Sequence, residues 1–290
     1  MKRLTKFVLG VAALLSTASC NDFKNDTIST IAFYDCYAVI TSVDGEVSVS
    51  APVNIGLELN WTKLTENTIF NGLKIDGYSY PQMTISDMKW GASSDNLWYE
   101  TTTKNSTALL ATGMPADITN YEFQWNDRLD IPGRVDGEYD PALFFSFNID
   151  GKYKVVGSRI PFNMWGTTTS SSQGAEPFTS EINKISADPD FSNMTMTVLV
   201  NGAQFHSKMP ALNIQLDNIP MKIENDGVTL SFEATDLIPS IAGTPYPNYP
   251  CTNIKGSLNP KTGMNFTFTC EVPKLGAYVV TTNPTVFGYR

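Results

Sequence analysis

The chain has 290 residues, 42% hydrophobic and 17% charged, with 29 acidic against 20 basic side chains and a net charge of −9. This length and apolar content support one large or two ordinary folded domains, and the acidic balance excludes a nucleic-acid surface, which needs clustered Lys and Arg. His206 is the sole imidazole, so a multi-histidine metal site cannot form and any nucleophile–histidine pair has to use that residue.

Residues 1–19 read as a signal peptide. Lys2, Arg3 and Lys6 form a positive start, Phe7 to Leu15 an apolar run too short to span a bilayer, and Thr17-Ala18-Ser19 a small-residue stretch before Cys20. The segment MKRLTKFVLGVAALLSTASC resembles a bacterial lipoprotein precursor, with Thr17 where such boxes usually carry Leu, a relaxation common in Bacteroidetes lipoproteins. That resemblance implies acylation of Cys20, which becomes the new N-terminus. The tether, residues 20–31, begins Asn21-Asp22-Phe23-Lys24-Asn25-Asp26. It is similar to the acidic signal that sends Bacteroidetes lipoproteins to the outer face of the outer membrane; orientation toward the periplasm is the alternative. Asp26-Thr27-Ile28 resembles the O-glycosylation tripeptide of that phylum, which would modify Thr27; a plain solvated tether is the other reading. Removing residues 1–19 takes three positive charges and no negative ones, leaving 17 basic against 29 acidic residues and a net charge of −12. Such a body is held at a membrane by lipid chains, not by a basic patch.

From residue 32 onward the pattern is strict alternation, which predicts half-buried strands and little helix. Leu57, Leu59 and Trp61 form one apolar row; Tyr121, Phe123 and Trp125 another; Phe145, Phe147 and Ile149 a third. Met194 to Val200, Leu212 to Leu216 and Val228 to Phe232 continue it. Turn signals separate these runs: Asp44-Gly45, Asp76-Gly77, Asp136-Gly137, Asp150-Gly151, Asn225-Asp226-Gly227 and Asn259-Pro260-Lys261-Thr262-Gly263. The expected fold is all-β: two tandem antiparallel β-barrel or β-sandwich domains. A first domain covers residues 32–165 and a second 187–290; Thr/Ser/Gly-rich residues 166–186 read as a linker or long loop.

A faint internal repeat supports two units of like construction. Asn71-Gly72-Leu73 leading to Tyr80-Pro81 parallels Asn201-Gly202-Ala203 leading to Met209-Pro210, offset by 130 residues at Asn71 and 129 at Pro81. Phe145-Ser146-Phe147 with Tyr153 parallels Phe266-Thr267-Phe268 with Tyr278. The stretch KMPALNIQLDNIPMKIENDGVTLSFEA, followed by NIKGSLNPKTGMNFTFTC, resembles the calycin-like β-barrel lipoproteins of gut Bacteroidetes. The resemblance implies a small barrel that encloses a lipophilic ligand, and it assigns no residue to a site.

Beyond Cys20, three cysteines remain. A hairpin turning near residue 261 puts Cys251 almost opposite Cys270, so the two form either a cross-strand disulfide or a pair of buried thiols. Cys36 reads as a buried thiol. His206 lies in a strand-like segment, and no Gly-x-Ser-x-Gly elbow accompanies it. Asp136, Glu138 and Asp140, and Asp188 with Asp190, are the carboxylate clusters a glycosidase would require, and both are equally acidic turns. Trp61 and Trp125 sit on apolar rows and read as core, whereas Trp90, Trp98 and Trp165 are the candidates for an exposed ligand-facing surface. The expected function is a non-catalytic, lipid-anchored envelope protein without cofactor or metal, which binds a hydrophobic or glycan ligand. The alternatives are a glycan-active enzyme using paired carboxylates and a structural or adhesive subunit that polymerises by strand exchange.

Overall fold

Alternating rows of this kind bury one face only if the sheet folds back on itself, and here it does so twice. The computed structural model describes residues 27–75, 78–92, 99–126, 142–159, 162–181, 183–259 and 262–285. Among these residues every regular element is a strand. Residues 1–26, with the expected signal peptide and Cys20, lie outside them.

The first eight strands are β1 (Ile28–Ser42), β2 (Val47–Asn60), β3 (Thr65–Ile75), β4 (Tyr78–Ala92), β5 (Tyr99–Leu110), β6 (Pro115–Asn126), β7 (Ala142–Ile149) and β8 (Tyr153–Arg159). Each pairs antiparallel with the next, and β8 pairs with β1 to close a barrel. Then follow β9 (Phe162–Ser171), β10 (Phe178–Thr179), β11 (Asn183–Asp190), β12 (Thr195–Ala203), β13 (Leu212–Ile223), β14 (Leu230–Leu237), β15 (Ser240–Ile241), β16 (Thr244–Pro245), β17 (Cys251–Asn259), β18 (Gly263–Val272) and β19 (Gly276–Thr285). The antiparallel pairings run β9 to β11, β12, β13, β14, β17, β18 and β19, and β19 returns to β9. A second ring of eight strands is thereby closed, with the two-residue strands β10, β15 and β16 added at its margin.

An eight-stranded ring leaves an interior wide enough for side chains or for one small ligand. Side chains take it here. Trp125, Tyr121, Phe33, Phe70, Phe123, Phe145 and Phe147 are fully buried in the first barrel. Phe70 meets the rings of Phe145 and Phe147 edge-on at 5.2 and 5.3 Å, a favoured aromatic geometry. Phe205, Phe232, Phe266 and Phe268 fill the second.

The two rings share irregularities as well as topology. Gly72 and Gly202, both with positive φ, lie on the third strand of each ring, β3 and β12. On the fourth strands the left-handed residues are Asp87 and Asn218, and on the sixth Asn120 and Asn253. Asp and Asn tolerate this conformation better than other side chains. Each makes a bulge that adds one residue, so the inward-facing parity changes. In β4 the buried positions are Met83 and Ile85 before Asp87, then Met88 and Trp90 after it.

One expectation is corrected. The stretch 166–186 is not a linker: its first six residues complete β9, which pairs with β11 on one side and β19 on the other. Thr and Ser read as loop formers, but Thr168 and Ser170 point inward with their hydroxyls satisfied. Thr168 Oγ1 donates to Ser180 Oγ at 3.0 Å, and Ser170 Oγ donates to the Phe205 carbonyl at 2.6 Å. A buried hydroxyl costs little once it is bonded, so a β-branched polar run serves as strand. β8 of the first ring ends at Arg159 and β9 of the second begins at Phe162, so the domain bounds expected at 165 and 187 fall inside strands of the second ring.

Candidate functional site

The turn between β11 and β12 is built by Asp190. Its Oδ1 accepts the backbone N–H groups of Ser192 (2.9 Å) and Asn193 (3.1 Å), and its Oδ2 accepts Asn193 Nδ2 (2.7 Å). The bonds from Asn193 and Ser192 hold the Asp190 carboxyl below its usual range. Next to this cap, Phe191 and Met194 are half-buried and pack against the core of the second barrel. Phe191 lies on Tyr37 with ring centroids 4.9 Å apart. Tyr37 faces out of the first barrel and is nevertheless buried, so the second barrel's turn seats on the first barrel's wall. Beside this contact runs a groove of about 520 Å³, lined by Val47, Ser48, Val49 and Ala51 of β2 and by Phe191 and Met194 of the turn. Ser192 and Ile223 complete the lining of this open trough, which mixes apolar side chains with polar surface.

The first barrel carries the same turn between β2 and β3. Asn60 Oδ1 accepts the N–H groups of Thr62 (3.1 Å) and Lys63 (2.8 Å), as Asp190 does for its own turn. Leu64 and Met194 share φ of 52°. The Trp90 N–H donates to the Leu64 carbonyl at 3.2 Å, and the Met221 N–H to the Met194 carbonyl at 2.8 Å. Trp61 therefore holds the position of Phe191.

This turn reverses two expectations. Trp61 stands one residue past the end of β2, where alternation no longer applies, and is 38% exposed. Trp90 was a candidate for the exposed face, but the bulge at Asp87 turns it inward: it is 8% exposed, and its Nε1 donates to the Thr65 carbonyl at 3.2 Å. Trp61, Trp90, Tyr99 and Trp125 form one cluster. Trp61 meets Trp90 edge-on at 4.9 Å, Trp90 meets Tyr99 at 5.6 Å, and Tyr99 stacks on Trp125 at 4.4 Å. Trp98 lies outside the described residues. Trp165 is on β9, its backbone paired with Lys184 and Thr285; its side chain is likewise outside what is described.

Below that cluster is a polar group that the sequence reading did not single out. Glu66 is 1% exposed inside the first barrel. Its Oε1 accepts Thr68 Oγ1 at 3.1 Å, and that hydroxyl shares a 2.7 Å bond with Tyr121 across the barrel. Glu66 Oε2, Thr101 Oγ1 and Trp125 Nε1 are buried without a protein hydrogen-bond partner. Burial pushes the Glu66 carboxyl up to about 7, against a smaller lowering from the nearby Thr101 and Thr68 hydroxyls. The signal was available: Glu66, Thr68 and Phe70 share one inward row.

The remaining candidates are scattered. Cys251 and Cys270 are buried, free and directly opposite in register. Cys36 is buried in the first barrel, and desolvation pushes its thiol up to about 12. His206 is exposed, its Nδ1 accepting the Lys208 N–H at 3.1 Å in a turn. Thr27 is exposed, its backbone carbonyl accepting the Trp61 N–H at 2.9 Å. Asp188 and Asp190 lie side by side on the outer face of β11, and burial with the Asp190 charge raises Asp188. Asp136, Glu138 and Asp140 lie outside the described residues. Among the described residues no three His, Cys, Asp or Glu side chains gather to hold a metal.

No family model and no curated protein matches the chain. A comparison with solved structures finds a double mutant of the vaccine antigen transferrin-binding protein B from Haemophilus parasuis Hp5. It is 8% identical, the match covers 90% of this chain and 76% of that one, and the TM-score is 0.22. At that score the likeness carries no argument.

Proposed function

We propose that the chain is a lipid-anchored protein of the cell envelope, two tandem calycin-like barrels displayed on the outer membrane, that binds a ligand without performing chemistry on it. Residues 1–19 are removed, Cys20 carries the lipid and Thr27 is open to glycosylation. The two barrels are read as a duplicated unit, supported by the matching bulges at Asp87 and Asn218 and by the matching turns at Asn60 and Asp190.

The observation that carries the binding reading is the groove of about 520 Å³ beside the Phe191–Tyr37 contact, set against barrel interiors occupied by aromatic side chains. A calycin-like barrel would hold its ligand inside; here the ligand seat is moved to the junction. Val47, Val49 and Met194 suit an acyl chain or the apolar face of a sugar ring. Among the described residues neither alternative draws a specific observation. Closed rings present no long free edge for strand exchange, and Asp190, committed to its turn, does not face Asp188 across a cleft.

The test is a glycan and lipid array probed with the mature protein, followed by Val47→Trp, which fills the groove from an exposed position on the outward row of β2. The expected result is at least a tenfold weaker binding of any ligand found, about 1.4 kcal/mol, with the unfolding midpoint unchanged. Undiminished binding by Val47→Trp overturns the groove as the seat.

A further inference from the structure

The duplicated turn poses a question of occupancy. In the second barrel the turn's aromatic residue, Phe191, is seated on Tyr37. In the first barrel the equivalent Trp61 is 38% exposed, its neighbour Leu64 49%, and Ile28, paired with Asn60 beside it, 64%. Lys63 and Lys89 are exposed at the rim of this patch, with Lys89 Nζ donating to the Lys63 carbonyl at 3.2 Å.

A second copy of the chain is a poor occupant. Its Tyr37 wall is already covered by its own Phe191. The corresponding wall of its second barrel, on β9, carries Thr167 and Thr169, both engaged by Asn283 Nδ2 at 3.4 and 2.8 Å. Neither surface offers an apolar seat.

The route of the chain points elsewhere. The tether enters the fold at this turn: the Thr27 N–H donates to Thr62 Oγ1 at 3.3 Å, and the Thr27 carbonyl accepts the Trp61 N–H. Only six residues separate Cys20 from Thr27, and the seven steps between their Cα atoms reach at most roughly 25 Å. A lipid on Cys20 therefore keeps this end of the first barrel close to the leaflet. Tryptophan favours the interfacial layer, where its ring is buried and its N–H finds a polar partner, and lysines beside it meet anionic head groups. Trp61 Nε1 already donates to Ser29 Oγ at 2.7 Å, so its indole enters that layer with its donor satisfied.

We propose that the Trp61–Leu64 turn, with Ile28, Lys63 and Lys89, is a membrane-docking surface that rests on the lipid leaflet holding the anchor and fixes the barrel's orientation on it. The proposal deepens the anchored reading and rests on it. An oriented first barrel turns the opposite end, with the β1–β2 and β5–β6 turns, away from the membrane.

The experiment uses the full-length lipidated protein in vesicles of phosphatidylethanolamine and phosphatidylglycerol with brominated acyl chains, and reads tryptophan emission. Comparison with Trp61→Phe, which keeps an aromatic ring against Trp90, isolates the Trp61 component. Met114→Trp in the Trp61→Phe background reports the opposite end. The expected result is quenching of the Trp61 component and none at position 114, together with slower amide exchange at residues 61–64 of the unaltered protein on vesicles. An unquenched Trp61 component, or stronger quenching at position 114, in protein whose mass shows acylated Cys20 overturns the docking surface alone. Absence of the acyl mass and of vesicle flotation overturns the anchor, and the orientation with it.

Discussion

Replacing Glu66 with glutamine will stabilise the protein by about 3 kcal/mol at pH 8 and change it little below pH 4.5. The carboxyl is buried in the first barrel, one oxygen has no hydrogen-bond partner in the protein, and its pKa is pushed up to about 7 from 4.5. A folded-state pKa above the unfolded value means that the folded protein favours the protonated acid. Its contribution is fully present below about pH 4.5, declines as pH rises toward about 7, and is absent above. Each unit corresponds to about 1.4 kcal/mol, and so small an exposure leaves little solvent to screen it. Glutamine keeps an oxygen for Thr68 and never ionises. Urea unfolding at pH 5 and pH 8 measures both the gain and the flattened pH profile; a Glu66→Gln protein less stable than wild type at pH 8 would mean that a counter-charge holds the carboxylate ionised.

The second large effect concerns the last hairpin. Cys251 and Cys270 are register partners on β17 and β18, and the Glu271 N–H donates to the Pro250 carbonyl at 3.0 Å. That flanking bond makes the cysteines a non-hydrogen-bonded pair, the class with Cα atoms about 4.5 Å apart, which lies within disulfide reach. Their contact together with burial pushes the Cys251 thiol up, and the same contact draws Cys270 down. Both are thiols in this structure. In an oxidising envelope a thiol–disulfide exchange partner would accept two electrons and two protons, leaving one S–S bond. If the chain is lipidated in the envelope as proposed, the isolated protein shows one thiol after unfolding, Cys36, and loses about 3 kcal/mol of stability on reduction with dithiothreitol, as closing a loop of this length implies. Three titratable thiols before reduction, with no change in stability afterwards, would contradict the pairing.

Much of the architecture was legible because a barrel strand with one face in the core must alternate. Leu57 with Leu59, and Phe145 with Phe147, are buried as their rows predict, and Asp44-Gly45 and Asp150-Gly151 occupy turns between strands. What alternation cannot report is a change of parity. Asp87 in a left-handed conformation shifts β4 by one residue, and Trp90 goes inside because of it. Composition misled at Thr167 to Ser171, where hydroxyls that resemble a loop are bonded within a strand. The groove was illegible for a different reason: it is formed by β2 and by a turn more than a hundred residues later, and no local spacing encodes that meeting.

The central claim is that binding occurs at the junction of the barrels and not inside either of them. It is tested most directly by methyl NMR of the mature protein with a ligand taken from the arrays. The account predicts shifts at Val47, Val49 and Met194, with Leu57, Ile85 and Val155 unmoved. Shifts confined to those interior methyls would contradict it and return the ligand to the inside of the barrel.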